Sequence, residues 1–309
     1  MSRAALGLAA FMAVAFGLGY ALEFVWMNWF WFTPWSALMG AAVMYSPFIA
    51  SLAAYALQGV KPLRALRLCG IRWGRAWLIA LGPAIPLALY GIGLGLCALA
   101  GFALLNPVIA LIHRSPMVYE LYRALHSAQL VLATFIGICI AAGMTVNTLA
   151  ALGEETGWRG YLLNTLAPRL GLVPAALVIG VVWGLWHAPL ILVMGYNYPE
   201  HPDIVGLSMF IAFTTGLSLA LSAARVLSES VVPCAMAHGT LNALAGLMLL
   251  SVVGDSLYTI PVGAAGAGAA WIIGAALTVL AVRRVKKMGL ERVLGISSLG
   301  PGERFQEPR

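Results

Sequence analysis

Long apolar blocks separated by short polar or basic connections dominate this chain, and the blocks have membrane-crossing length. Taking about 18 mostly apolar residues as the least that spans a bilayer, the pattern predicts eight spans, at about 4–22, 34–57, 77–105, 127–152, 175–194, 204–224, 231–252 and 258–282. The expected fold class is all-α, a polytopic membrane protein of about eight transmembrane helices. The first span runs through Glu23 to Trp26, Trp29 and Trp31 without an A-x-A site. Its apolar stretch exceeds the roughly 7 to 15 residues of a signal-peptide core, so it is expected to be retained, with the tryptophans in an aromatic belt. In the eighth span Gly266, Ala270 and Gly274 are spaced for close helix contact. Residues 1–282 are expected to form a single membrane domain and 283–309 a basic, loose cytoplasmic tail. The segment 104–127 carries His113, Arg114, Glu120, Arg123 and His126 among Leu and Ile, and is expected to lie as a helix on the outer face with Glu120 and His126 solvated.

Composition agrees: the chain is 61% hydrophobic and 9% charged, where an ordinary soluble domain is about 25% charged. Basic residues test the topology independently, because they gather on the cytoplasmic side. With a cytoplasmic N-terminus, that side receives 16 of the 18 Lys and Arg; Arg114 and Arg123 fall outside. The expected location is therefore a cell membrane with both termini cytoplasmic, and 15 Arg against 3 Lys points to a prokaryotic, GC-rich source. The net charge of +7 then reflects contact with anionic lipid head groups and gives no ground for a nucleic-acid partner. Its densest segment, KPLRALRLCGIRWGR, reads as a short interfacial helix. Cys69, Cys97, Cys139 and Cys234 have no paired spacing, so neither a disulfide framework nor a zinc knuckle is expected. Glu200, His201 and Asp203 are close in sequence but Pro-flanked, which reads as an exposed loop.

Against this apolar background, a few polar residues inside the spans stand out: Glu154 and Glu155, His187, and His238 with Asn242. Such groups are expensive in hydrocarbon and normally face a wet cavity or one another. Glu155 and Arg159 are four apart with the acid first, the favourable order for an ion pair on one helix face. Glu154 is rotated about 100° from Glu155, so it is the carboxylate left for use as a base. Trp183 and His187 share a face, as do His238 and Asn242. Entering from the cytosol, His187 falls roughly 18 Å and His238 roughly 10 Å along their helices, while Glu154 sits where span four returns. Pro189 and Pro233 are expected to bend the neighbouring helices. One cytosol-facing cavity between spans four, five and seven is the expected site. There Glu154 and His187 would hold and deprotonate a water, while Asn242 and His238 would receive a developing oxyanion. No Ser or Cys is placed to act as nucleophile, which favours activated water.

The ordered motifs Glu-Glu-x-x-x-Arg (Glu154, Glu155, Arg159), aromatic-x-x-x-His (Trp183, His187) and Ser-x-x-Pro-x-x-x-x-His-x-x-x-Asn (Ser230, Pro233, His238, Asn242) resemble the CAAX-protease and bacteriocin-processing family of glutamic intramembrane endopeptidases, related to the type II CAAX-prenyl endopeptidases. The resemblance covers about 127–252. It implies Glu154, His187, His238 and Asn242 as catalytic residues, supported by Glu155, Arg159 and Trp183, with no cofactor and no metal. The family's second motif usually begins with Phe, so Trp183 is a departure whose bulk narrows the substrate groove. The implied partners are the lipid bilayer and a membrane-associated peptide or protein, which includes a prenylated C-a-a-X tail. Three other readings compete: a zinc-dependent membrane protease using Glu154, His187 and His238 as ligands, a proton-coupled transporter, and a non-catalytic bacteriocin-immunity scaffold. A transporter relay needs ionisable groups in the outer half of the membrane, where few lie.

Overall fold

The computed structural model describes residues 2–72, 74–112 and 115–296. Helix α1 (Arg3–Val25) starts on the Ser2 hydroxyl, which accepts the Ala5 N–H, and continues as a wide π turn through Phe30. The second span is α2 (Ser36–Met44) and α3 (Ser46–Leu57), joined at Tyr45. After the short basic helix α4 (Pro62–Leu68), a 3-10 turn leads into α5 (Leu81–Leu99). The segment expected on the outer face forms strand β1 (Ala103–Leu104), α6 (Pro107–Ile112) and α7 (Pro116–Leu125). Glu120 is exposed, and so is His126, which ends α7 in a left-handed conformation. His113 and Arg114 lie outside the described residues.

Two spans are bent. The fourth is α8 (Ala128–Met144) followed by α9 (Val146–Glu155), a π turn and α10 (Leu163–Leu170), with a 49° angle between Ala128–Met144 and Val146–Leu170. The fifth is α11 (Leu172–Trp186) and α12 (Ala188–Met194), bent by 41° at His187, with Pro189 in the first turn of α12. Pro233 does not bend its helix. It occupies the first turn of α14 (Val232–Leu249), where its missing N–H has no helical acceptor to lose. Helix α13 (Ile204–Ser228) precedes it; strand β2 (Val252–Val253) pairs antiparallel with β1, and α15 (Ala264–Met288) and α16 (Leu290–Leu294) follow. Among the described residues six helical segments are long and apolar enough to cross a membrane, and up to eight if each bent pair is one span, so the chain is an all-α, multi-pass membrane protein.

The connections collect into two layers at opposite ends of the bundle. At one end Trp31 packs on Tyr196, His201 Nε2 lies 2.8 Å from Asp255 Oδ2, and the Tyr198 hydroxyl donates to the Val262 carbonyl. Glu200 and Asp203, read from sequence as loop residues, tie this layer together. Glu200 accepts from Ser256, and Asp203 caps α13 by accepting the Val205 and Gly206 N–H groups. At the other end the Arg72 guanidinium donates to the carbonyls of Glu229 and Val293, and Arg225 to those of Val293 and Leu294. These bonds dock the segment after Met288, where Val293, Leu294 and Ile296 are buried. The expected loose tail from 283 is thus corrected up to Ile296: α15 continues to Met288, and α16 is held by two buried or half-buried arginines. Residues 297–309 lie outside the described residues.

Close helix contact is set by small residues. Gly274 of α15 sits against the Gly216 carbonyl of α13, as its spacing predicts. A second set lies in the fourth span: a Cβ on Gly153 would stand 2.9 Å from the Tyr45 Cα, one on Gly157 2.9 Å from the Pro47 carbonyl oxygen, and one on Gly160 2.7 Å from the Cys69 carbonyl oxygen. Gly160 seats the fourth span against Cys69 at the end of α4, and Gly153 and Gly157 lay it directly on the second. That contact fixes the height and rotation of the glutamates between them.

Candidate active site

Glu154 and Glu155 end α9 just before the π turn, the kind of local unwinding that is frequent at functional sites. Both are buried. Their side chains diverge and take different partners, as the rotation between adjacent helical positions predicts. Glu155 Oε1 accepts from Arg159 Nη1 at 3.1 Å, and His238 Nδ1 lies 3.0 Å from the same oxygen. The Arg159 guanidinium also covers the Trp183 ring, its Cζ 4.4 Å from the centroid. A buried cation, carboxylate and imidazole therefore form a linked unit between the fourth and seventh spans. Desolvation offsets much of the attraction within such a unit, while loss of one member leaves an uncompensated charge and costs about 3–5 kcal/mol.

Glu154 points the other way. Its Oε2 accepts two indole N–H bonds, from Trp183 at 2.5 Å and from Trp158 at 3.3 Å. With both donors on Oε2, Oε1 is the oxygen left to meet a water. His187 stands at the break of the fifth span, and its Nδ1 is 2.9 Å from the Trp183 carbonyl oxygen. A carbonyl only accepts, so Nδ1 carries the proton and the neutral ring presents Nε2 as an acceptor. The ring is also clamped edge-on by Trp186 and Phe210, each with its centroid 4.8 Å away. Asn242, one helical turn beyond His238, is exposed to the same space.

That space is a cavity of about 230 Å³ lined by Glu154, Trp183, His187, His238 and Asn242, with apolar walls from α2, α13 and α14. The three predicted spans do converge. The mouth differs from expectation. Trp26, Tyr196, Asn197, Pro261 and Val262 also line the cavity, and they belong to the layer of connections opposite the one that holds Ser2 and α16. Sequence reasoning placed mouth and termini on the same side because it ended span four at 152. The helix actually runs on to Leu170, so Glu154 sits in mid-span and depth alone does not say which end is open.

Several participants escaped the sequence reading. Trp158 follows Glu154 by four residues, so the spacing rule used for Glu155 and Arg159 would have found it. Trp183 was assigned bulk, and its N–H was overlooked. Glu23, noted only as part of the first span, is fully buried with neither carboxyl oxygen hydrogen-bonded, close enough to Glu154 for the two to interact electrostatically. Among the described residues, no group of three or more His, Cys, Asp or Glu is arranged to hold a metal ion.

Fold and site together define a multi-pass membrane protein with a carboxylate, two imidazoles and a carboxamide converging on a cavity between its spans. A family model described as "Type II CAAX prenyl endopeptidase Rce1-like" matches residues 128–244, the stretch that contains Glu154, His187, His238 and Asn242. Over 67 residues the chain is 42% identical to a protein of Methanococcus maripaludis named CAAX prenyl protease 2; the match covers 21% of this chain and 25% of that relative. Both matches are to the CAAX-protease family that the motifs resemble; the family model covers less than half of this chain, and the match to the Methanococcus protein spans a quarter of that relative's length.

Proposed function

We propose that this chain is an intramembrane endopeptidase that hydrolyses a peptide bond of a membrane-associated substrate with water activated by Glu154 and His187. The observation that carries the reading is the division of labour between adjacent glutamates: Glu155 is neutralised by Arg159 and His238, whereas Glu154 keeps an oxygen for water in a cavity shared with His187, His238 and Asn242.

In the proposed reaction a water sits between Glu154 Oε1 and His187 Nε2. Glu154 takes its proton as the oxygen attacks the peptide carbonyl. The Asn242 amide and His238 donate to the oxyanion that forms. Because Glu155 occupies the His238 Nδ1–H, donation from Nε2 requires the ring to be protonated on both nitrogens. In that state two carboxylates face one guanidinium and one imidazolium, and the cluster carries no net charge. The intermediate collapses as Glu154 returns the proton to the departing amine. Glu154 is thus base and then acid, and no acyl-enzyme forms. The apolar cavity wall suits a hydrophobic peptide segment. Under this reading the substrates include lipidated C-a-a-X tails as well as unlipidated membrane peptides. The setting is a prokaryotic cell membrane, in keeping with the Arg-rich composition.

The test is a comparison of membrane proteomes from cells carrying the native chain and Glu154→Ala. The proposal expects peptide fragments with new C-termini only with the native chain. Identical fragment sets, with both proteins folded and abundant, would overturn it. Retained cleavage after a strong chelator is expected as well; its loss would favour the zinc-dependent alternative.

A further inference from the structure

The strongest feature outside the cavity lies at the end of the molecule that holds the N-terminus. There α4 and the turn after it wall a groove of about 780 Å³, a volume within the range of small-ligand sites. Lys61, Arg64, Arg67 and Arg72 supply its charge, Leu63 and Ile71 its apolar surface, and among the described residues that line it none is acidic. Gly295, from the docked C-terminal segment, closes one side. Its backbone meets Arg72 so closely that a Cβ would collide with the guanidinium, and its φ of 76° is one that glycine adopts freely.

We propose that this groove binds the head group of an anionic phospholipid, with phosphate among the four basic side chains and acyl chains along Leu63 and Ile71. Two observations select a lipid over a free anion. Leu63, which lines the groove, is 77% exposed, and Trp77, in the turn that leads into α5, is 68% exposed; both are large apolar surfaces in the same basic segment that acyl chains would cover. The Arg75 guanidinium lies 5.0 Å from the Trp77 ring centroid, the pairing of a charge and an aromatic ring that suits a head-group layer. Arg72 also holds the Glu229 and Val293 carbonyls. A lipid seated against Arg72 and Gly295 therefore also steadies the C-terminal segment.

The test uses the full chain purified in neutral detergent, titrated with phosphatidylglycerol, phosphatidylcholine or inorganic phosphate and followed by melting temperature and native mass spectrometry. Phosphatidylglycerol is expected to raise Tm saturably and to remain bound; phosphatidylcholine and inorganic phosphate are not. Each exposed cation near the surface is worth about fivefold in affinity. The double variant Lys61→Gln with Arg67→Gln should therefore weaken phosphatidylglycerol binding on the order of 20-fold and leave the lipid-free Tm unchanged, because both side chains are exposed. Equal effects of phosphatidylcholine would overturn the proposal, as would equal effects of phosphate alone or undiminished binding by the double variant.

Discussion

Trp183→Phe removes one atom group of consequence, the indole N–H that donates to Glu154 Oε2 at 2.5 Å. The backbone carbonyl that orients His187 stays, because any residue supplies it. A phenyl ring remains under Arg159, and Phe is the residue the family usually has at this place. A hydrogen bond to a charged group contributes about 1.5–3 kcal/mol. The surviving bond from Trp158, at 3.3 Å, is too long to replace it. If the bond holds the carboxylate in its reactive orientation, the loss appears as roughly a 10- to 150-fold drop in kcat. KM should change little, since Oε2 faces the tryptophans. The assay is steady-state cleavage of a reporter peptide in proteoliposomes, with Trp158→Phe alongside. The longer bond predicts a smaller loss in kcat for that second variant. Wild-type kcat in Trp183→Phe, with the protein fully folded, would refute the claim that the indole positions Glu154. A drop confined to KM would assign Trp183 to the substrate wall instead.

Three further outcomes are expected. Arg159→Leu should destabilise the protein by about 3–5 kcal/mol, because Glu155 and His238 lose their buried cation; a denaturation midpoint in detergent checks this, and an unchanged midpoint would contradict the linked unit. Gly157→Ala should cost about 1–3 kcal/mol by overpacking against Pro47, whereas Gly137→Ala, with open space around it, should be neutral or stabilising by up to about 1 kcal/mol; equal effects would show that the fourth span does not need its close approach to the second. Lys61→Cys and Glu200→Cys should label with an impermeant thiol reagent from opposite sides of the membrane; labelling from one side would contradict the two-ended arrangement of connections.

Much of the architecture was readable because hydrocarbon imposes a simple rule: blocks of apolar residues long enough to cross become helices. The eight predicted blocks correspond to observed helices or bent pairs. The bends were not readable. Thr145, where the fourth span turns, has no proline or glycine beside it except Gly143, and that glycine packs on Thr240. Nor was the continuation of the helix past Glu155, since Glu-Glu-x-x-x-Arg looks like an interfacial end when its charges are buried in protein instead. The cluster itself was legible through helical spacing, because Glu155 with Arg159 and His238 with Asn242 depend only on local geometry. Contacts between helices were not, and these include the Glu155 to His238 bond and the indole of Trp183 on Glu154. Glu23 shows the same limit: its burial beside Glu154 follows from how α1 packs, which no periodicity encodes.

The most direct measurement of the central claim is cleavage of a membrane-anchored reporter peptide by the purified chain in liposomes, with wild type, Glu154→Gln and Glu155→Gln compared at equal folded protein. The account predicts that Glu154→Gln abolishes turnover while substrate still binds, because the amide cannot take the proton of water. Undiminished turnover by Glu154→Gln would contradict it.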